Sequence, residues 1–450
     1  MDKKKYAKMI RYGTVAEQKY IDEFKDDFDI LVINGNMISH ASNAISKFVA
    51  TRKFSYIIDP LTHSLQHDIQ FLKGNNGKIK SSIVKMIDNF SEFVKRKILD
   101  EEKVLVPSDF ECEKLRKDFA LKVLNFQRNH VINNSKEKDY FKYLQYTNIT
   151  FEPKWLVIPY FMMNTKNYKK WLEINLSMVK HSLDEYESEK LAVQLVIEKD
   201  ILEDSSFIDD IVEKYTFYDI KTLLLWIDDF SAFEASKLLL KNFCKLVKGF
   251  SDKEIKVYNL YGDYFSVLLC HQNSKAKLSG VCHGIEYGEK RAIVPVGGGI
   301  PVNKYYLYPI HQRIEFGRVA TLLTIMGILP EDYERYYSEI CDCKQCKEVI
   351  AANLDNFSQY GGSKSIDIER KTGATVSRQY PTAEAKRLCI RHFLFNKLKE
   401  WDSINKYEIL DLVDQSIKAS EEYSQVLGYN NVATFETWRD IFISMGEEHE

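Results

Sequence analysis

Short runs of apolar residues recur along this chain, and a longer stretch with helical spacing follows most of them. Each run ends at a polar residue or at glycine, and its apolar positions are continuous rather than alternating. Continuous hydrophobicity is typical of strands buried on both faces, as in a parallel sheet whose strands are joined by helices. Eight runs show this pattern: Asp29–Asn34, Phe54–Asp59, Trp155–Tyr160, Leu191–Glu198, Thr222–Asp228, Ile255–Gly262, Leu278–His283 and Tyr305–Ile310.

About eight strands with helical connections predict an α/β fold of the (β/α)8 barrel type. An open, doubly wound sheet is the alternative. The barrel is predicted at residues 1–300, with a helical insertion at about 65–152. That insertion is rich in Lys and Arg, which fits either a solvated helical face or a surface for a phosphate backbone. A metal-binding subdomain is predicted at 301–402, and a tail of amphipathic helices at 403–450.

The composition indicates a globular protein and gives no sign of a nucleic-acid-binding surface over the whole chain. With 45% hydrophobic and 28% charged residues, the chain is an ordinary globular one. The formal net charge is only -2, so any nucleic-acid site would have to be a local patch. No apolar run is long enough to span a membrane, and the first residues lack the apolar core of a secretory signal. We therefore predict a cytoplasmic protein that does not enter a membrane.

Three of the eight cysteines lie within six positions of one another, as Cys341, Cys343 and Cys346. This C-x-C-x2-C spacing supplies three of the four tetrahedral ligands that zinc prefers. His392 is the predicted fourth ligand, and Cys389, three residues earlier on the same helical face, is the competing one. Because four protein ligands leave no position for water, the predicted zinc is structural. Three free thiols are the alternative.

With this motif the sequence resembles the tRNA-guanine transglycosylases, including their archaeal and DNA-modifying relatives. The stretches YNLYGDYFSVLL and LSGVCHGIEYGEKR look like the seventh and eighth strands of that family, with the intervening helix. The resemblance implies a (β/α)8 barrel followed by a C-x-C-x2-C plus His zinc subdomain. It also implies that Tyr305–Ile310 lies in a small sheet leading into the zinc site, so that one N-terminal barrel strand would be unrecognised.

Acidic residues follow several of the predicted strands, where barrel enzymes build their active sites. Asp59 ends one strand, and Gln66 lies in the loop behind it. The pair is similar in part to an Asp-Ser-Gly-Gly-Phe-Gln segment of the family, although Pro60 replaces the serine. Asp228 and Asp229 end another strand. They could act as nucleophile and base, or one could cap a helix while the other is solvated.

On the last barrel strand the family places its nucleophilic Asp four residues before an aromatic residue. Alignment on Tyr287 puts His283 at that position, and Glu286 and Glu289 follow. Histidine can act as an acid or base, but it does not replace a carboxylate that attacks a sugar carbon. A neighbouring carboxylate would then take over, or the chemistry differs. We predict as catalytic Asp59, Asp228, His283 and Glu286, and as substrate-binding Asp229, Gln66 and Tyr287.

The resemblance implies an enzyme that exchanges a guanine-type base in tRNA or DNA, with a 7-deazaguanine as a possible incoming base. The target nucleotide would have to be flipped into the barrel mouth. A catalytically silent paralogue that binds nucleic acid, or serves as a partner subunit or homodimer, is the alternative. A hydrolase that removes a base is a third. The stretch PVGGGIP at 295–301 could approach an anion closely or form a plain surface turn.

Overall fold

The structure is a computed structural model that describes residues 6–134, 151–286, 289–294, 302–369, 373–427 and 431–447. Tyr287 and the PVGGGIP stretch lie outside these residues. The chain divides into two compact units, Met1–Pro295 and Val296–Glu450. Among the described residues, no helix combines the length and apolar character needed to cross a membrane.

The first unit is a closed barrel of eight parallel strands, paired in sequence order, with β1 next to β8. Helices separate most of the consecutive strands, which confirms the predicted (β/α)8 class. The strands are β1 (Ala7–Tyr12), β2 (Ile30–Asn34), β3 (Tyr56–Asp59), β4 (Leu156–Val157), β5 (Leu191–Ile197), β6 (Thr222–Ile227), β7 (Lys256–Asn259) and β8 (Leu278–Gly284).

The strand that the apolar runs did not reveal is β1. Its sequence, AKMIRY, is interrupted by Lys8 and Arg11, so it lacks the continuous hydrophobicity of the other strands. Met9 pairs with Ile30 of β2 on one side and with Cys282 of β8 on the other. Arg11 is nevertheless buried, and it lies on the same inner face as Met9 because side chains alternate along a strand.

Helices surround the barrel, and the predicted insertion between β3 and β4 is helical. Within the described residues that insertion contains α4, α5 and α6, with a short π-helical turn after α5. The helices are α1 (Gln18–Glu23), α2 (Gly35–His40), α3 (Ser42–Arg52), α4 (Ser81–Ile87), α5 (Glu92–Lys95), α6 (Glu113–Asn134), α7 (Tyr168–Leu183), α8 (Ser205–Thr216), α9 (Lys237–Ser251) and α10 (Tyr264–Leu268).

The second unit has its own apolar core and contains two small antiparallel sheets. The run Tyr305–Ile310 is not a barrel strand, because its first residues pair with β10 in one of these sheets. The strands are β9 (Lys304–Leu307), β10 (Gln312–Glu315), β11 (Ser363–Glu369) and β12 (Thr375–Pro381). The helices are α11 (Phe316–Ile325), α12 (Tyr333–Glu339), α13 (Lys344–Ile350), α14 (Ala383–Ser403), α15 (Ile409–Leu427) and α16 (Val432–Glu447).

Candidate functional site

Polar side chains gather at the carboxyl ends of the first strands of the barrel. Arg11 Nη1 donates a hydrogen bond to Asn34 Oδ1, which ends β2, at 2.5 Å. The same nitrogen lies 3.4 Å from Asp59 Oδ2, at the end of β3. The hydroxyl of Tyr160, just after β4, donates to Asp59 Oδ1 at 2.5 Å. The Asp59 side chain is fully buried, so its charge depends on these partners for compensation.

His63 extends this hydrogen-bonded group. It lies in a 3-10 turn that follows β3, and its Nδ1 is 3.2 Å from the Tyr160 hydroxyl. That hydroxyl already donates to Asp59, so His63 donates its Nδ1 proton to the hydroxyl oxygen. Burial lowers the pKa of His63 well below its usual value, and the positive charges of Arg291 and Arg11 add to this effect. The ring is therefore neutral at neutral pH.

Aromatic rings form one side of the same site. Trp226, near the end of β6, and Tyr261, just after β7, lie with ring centres 4.8 Å apart. The Arg11 guanidinium carbon is 4.5 Å from the centre of the Tyr261 ring. The Arg291 guanidinium carbon is 5.8 Å from that ring centre and 5.9 Å from the Trp226 ring centre, and its Nη1 donates to the Tyr261 hydroxyl at 3.0 Å. Two guanidinium groups therefore border a buried pair of aromatic rings.

The segment that carries Arg291 is tied to the end of β6. The carbonyl oxygen of Arg291 accepts from Trp226 Nε1 at 3.1 Å and from the Asp229 N–H at 3.0 Å. Asp228 Oδ1 accepts from the Ile293 N–H at 2.7 Å. Three hydrogen bonds thus position the Arg291 backbone, and Asp228 contributes one of them through its carboxylate.

Arg11 also interacts with a thiol. Its Nε and Nη2 atoms are buried and have no nitrogen or oxygen partner among the described residues, and the guanidinium is hydrogen-bonded to the Cys282 thiol of β8. Burial disfavours the charged form, but Tyr261, Cys282 and Asp59 around the guanidinium outweigh burial and raise the pKa of Arg11. The group therefore stays charged.

Only some of the predicted site residues lie at the carboxyl end of the barrel with their side chains in the polar group. Asp59 ends β3 and Asp228 directly follows β6, both at the carboxyl end of the barrel, as expected. Gln66 instead holds the backbone of Met162, accepting from its N–H at 2.6 Å and donating to its carbonyl oxygen at 2.9 Å. The Asp229 carboxylate lies 3.9 Å from Lys290 Nζ, a weak contact at a half-exposed position.

On the last barrel strand, β8, the predicted residue His283 lies on the outer face of the barrel. Cys282 belongs to the apolar cluster inside the barrel, so His283, the next residue of β8, lies on the outer face. Glu286 lies in the loop behind the strand, and Tyr287 is outside the described residues.

Arg11, Tyr160 and Arg291 were not predicted as site residues. One sequence feature could have indicated Arg11. It is a basic residue at alternating spacing with Ala7 and Met9, so it shares their apolar strand face.

The second unit contains a cluster of four buried side chains that could hold a metal ion. The ligand atoms of Cys341, Cys343, Cys346 and His392 all lie within 4.8 Å of one another. His392 Nδ1 is 3.9, 3.4 and 3.3 Å from the three sulfur atoms, in chain order. A tetrahedral zinc ion with ordinary bond lengths would place such atoms about 3.5–3.8 Å apart. The predicted ligand set is therefore confirmed as a possible metal site.

Local structure orients these ligands. Cys343 caps α13, and its sulfur accepts from the Cys346 N–H at 3.4 Å. His392 lies on α14, where its Nε2 donates to the Tyr306 carbonyl oxygen at 2.7 Å. This bond fixes the tautomer that leaves Nδ1 facing the thiols, an arrangement that is common around metal-binding histidines.

Three tyrosine hydroxyls surround one of the sulfur atoms. The hydroxyls of Tyr305, Tyr336 and Tyr360 lie 3.1, 3.2 and 3.2 Å from Cys346 Sγ. Burial raises the pKa of the Cys346 thiol, whereas a hydroxyl that donates to the sulfur stabilises the thiolate that a metal needs. Cys389 is outside the cluster, and its thiol contacts the Tyr360 carbonyl oxygen at 3.6 Å.

Comparison with known proteins gives structural likeness only. No family model matches the sequence, and no curated protein matches it. An intracellular xylanase from Thermoanaerobacterium saccharolyticum matches with 8% identity and a TM-score of 0.35, over 65% of this chain and 87% of that chain. A GH10 endoxylanase retrieved from a sugarcane soil metagenome matches with 9% identity and a TM-score of 0.26, over 64% of this chain and 94% of that chain.

The predicted exchange of a guanine-type base in tRNA or DNA is wrong. The solved structures that the chain resembles are xylanases, not transglycosylases of nucleic acid. The barrel is consistent with this correction, because His283 takes the position aligned with the nucleophilic Asp and lies on the outer face of β8. Asp228, the candidate substitute, is bound to the Ile293 N–H. The silent-paralogue alternative came from the same resemblance and is not retained.

Other expectations remain open. The family resemblance, the nucleic-acid partner, the homodimer and the cytoplasmic location stay predictions. Several basic residues of the helical insertion are paired with acidic ones. Arg116 contacts Glu173 at 3.0 Å, and Lys117 contacts Glu185 at 2.9 Å. These pairs are typical of a solvated helical face.

Proposed function

We propose that the first unit binds a small molecule at the carboxyl end of its barrel. The observation that carries this proposal is the group of buried polar side chains that converges there, the charged Arg11 guanidinium with Asp59 and Tyr160. Ligand sites in barrels lie at this end, and they combine an apolar wall with a few converging polar groups. Trp226 and Tyr261 supply the wall, and the polar groups come from separate strand ends.

The connected polar groups support this proposal. Asp59, Tyr160 and His63 form one hydrogen-bonded chain that ends on a neutral imidazole. Burial, together with the neighbouring Asp59 charge, raises the pKa of Tyr160 well above its usual value, so its hydroxyl stays protonated and keeps donating. A ligand would therefore meet a fixed arrangement of dipoles rather than mobile side chains.

Methionine methyl signals in NMR test this proposal. Met9 and Met162 belong to the apolar cluster inside the barrel, whereas Met326 is partly buried and packs against the core of the second unit. Leucine variants at the three positions would assign the signals. We expect at least one compound from a small-molecule library to shift the signals of Met9 or Met162 and leave that of Met326 in place. A library in which no compound moves either barrel signal would contradict the proposal.

We also propose that the metal of the second unit is a structural zinc ion. Three thiolates and one imidazole suit zinc, and four protein ligands leave no open coordination position. Elemental analysis of the purified protein should give about one zinc per chain. Cys346→Ser should lose the metal, whereas Cys389→Ser, a matched control outside the cluster, should keep it. Equal zinc content in both variants would overturn this ligand assignment.

A further inference from the structure

A polar groove lies between the ends of four helices that surround the barrel. Its volume is about 580 Å³, within the range of pockets that hold small ligands. The lining comes from the end of α2, the start of α3 and the ends of α4 and α6. The groove shares no residue with the polar group at the carboxyl end of the barrel strands, so it is a second place where a ligand could bind.

The first turn of α3 lines one part of this groove. No side chain caps the helix, because its N-cap residue is Ala41. The first hydrogen bond of the helical turn runs from the Ile45 N–H to the Ala41 carbonyl oxygen, at 3.0 Å. The N–H groups of Ser42, Asn43 and Ala44 therefore have no partner inside the helix. Such N–H groups and the helix dipole favour an oxyanion at this end of α3.

A lysine adds positive charge beside the start of α3. Lys85 Nζ lies 3.4 Å from the carbonyl oxygen of His40, two residues before Ser42 begins the helix. Lys85 is exposed, and it forms no ion pair with any residue that the structure describes. An ammonium group next to free backbone N–H groups is a combination that binds phosphate.

A buried histidine supplies a hydrogen-bond acceptor to the same groove. His130 of α6 lines the groove although only 6% of the residue is exposed. Its Nε2 donates to the Ile38 carbonyl oxygen at 3.1 Å. Burial lowers the pKa of His130, so the ring is neutral and Nδ1 carries a lone pair. Within the described part of the chain no group hydrogen-bonds to Nδ1, which leaves it for a donor on a ligand.

Further acceptors lie at the ends of α4 and α6. The side-chain amide nitrogens of Asn89 and Asn134 donate to the carbonyl oxygens of Lys85 and His130, each at 2.9 Å. Their side-chain oxygens therefore remain to accept. The Asp88 carboxylate also lines the groove. A carboxylate repels phosphate but accepts from a hydroxyl, so this part of the groove suits hydroxyl groups.

We propose that the groove binds a small phosphate ester that carries hydroxyl groups. The phosphate lies at the start of α3 beside Lys85, and the hydroxyls donate to His130 Nδ1 and to the oxygens at the ends of α4 and α6. Inorganic phosphate alone would leave these acceptors unused, and a neutral polyol would leave the positive start of α3 unused. A hydroxylated phosphate ester is the class that uses both parts.

Isothermal titration calorimetry tests this class with glycerol phosphate, ribose phosphate and glucose phosphate. The comparison compounds are the three unphosphorylated alcohols and inorganic phosphate. We expect at least one ester to bind saturably, and its alcohol and inorganic phosphate each to bind at least about tenfold more weakly. An alcohol that binds as tightly as its ester would overturn the phosphate assignment. Inorganic phosphate that binds as tightly as every ester would overturn the hydroxyl assignment, and no binding by any ester would overturn the site.

A matched pair of variants tests the start of α3. Ala44 is exposed in the first turn, so Ala44→Asp places a carboxylate where the phosphate would bind. Acidic residues stabilise the first turn of a helix, so the variant should fold. We expect Ala44→Asp to weaken binding of the ester by about tenfold or more, and the neutral Ala44→Asn to weaken it much less. Equal affinity in the two variants would overturn the inference.

Two further measurements locate the bound ester. Lys85→Gln should weaken its binding several-fold, whereas Lys114→Gln, at the opposite end of α6, should leave it unchanged. Equal affinity in these variants would overturn the placement of the phosphate. The methionine NMR signals of Met9 and Met162, inside the barrel, should not move. If the ester shifts them, it binds at the barrel end, so this inference fails while the proposed ligand site stands.

Discussion

At the scale of single residues, the barrel mouth depends on one buried ion pair. Asp59 could be predicted, because an acidic residue directly after an apolar run lies at the carboxyl end of a barrel strand. Its partner Arg11 was missed, because a basic residue in a short N-terminal stretch is usually exposed and β1 was not recognised as a strand. Only the closed barrel, in which β1 lies beside β2, brings the guanidinium to Asn34 and Asp59.

A double-mutant cycle tests this pair. Arg11→Met and Asp59→Asn should each lower the free energy of unfolding by about 3–5 kcal/mol, because each leaves an uncompensated buried charge. The double variant should lose less than the sum of the two. Urea unfolding measures all three values. The exposed pair Lys117 and Glu185 is the control, with an expected coupling below about 1 kcal/mol. Simple additivity at Arg11 and Asp59 would contradict the account.

At the scale of elements, runs of apolar residues located seven of the eight barrel strands. They could not assign Tyr305–Ile310, because strands of a small antiparallel sheet can be as apolar as those of a barrel. They also could not give the face of each residue, since a continuous apolar run hides the alternation between inside and outside. His283 was therefore predicted at the mouth, although its place beside Cys282 puts it on the outer face.

Hydrogen exchange tests how the β6 end holds the segment at 289–294. Asp228→Ala removes the acceptor of the Ile293 N–H, so amide exchange in this segment should become faster. Asp229→Asn is the matched control, because only its backbone N–H supports the segment and its side chain makes one weak contact. Equal exchange rates in the two variants would show that the Asp228 carboxylate does not position Arg291.

At the scale of the whole molecule, the two candidate sites differed in how far the sequence could predict them. Three metal ligands lie within six positions, and their spacing alone indicates a tetrahedral site. The mouth is assembled from β1, β2, β3, β6 and the loops behind β4, β7 and β8, so no local pattern contains it. The two units also have separate apolar cores.

Metal removal tests whether the two units are stabilised separately. A strong chelator should destabilise the second unit, whose buried thiols would lose their shared ion, and should leave the barrel core protected. Amide exchange should therefore become faster in α13 and α14 but not in β5 and β6. Faster exchange throughout the chain would show that the barrel depends on the metal. Unchanged exchange everywhere would show that the cluster holds no stabilising metal.

The most direct test of the central claim is a crystal structure of the protein with a compound that shifts the Met9 or Met162 signal. The account predicts that the compound lies at the carboxyl end of the barrel and contacts Arg11, Trp226 or Tyr261. A compound bound only elsewhere in the protein would contradict it.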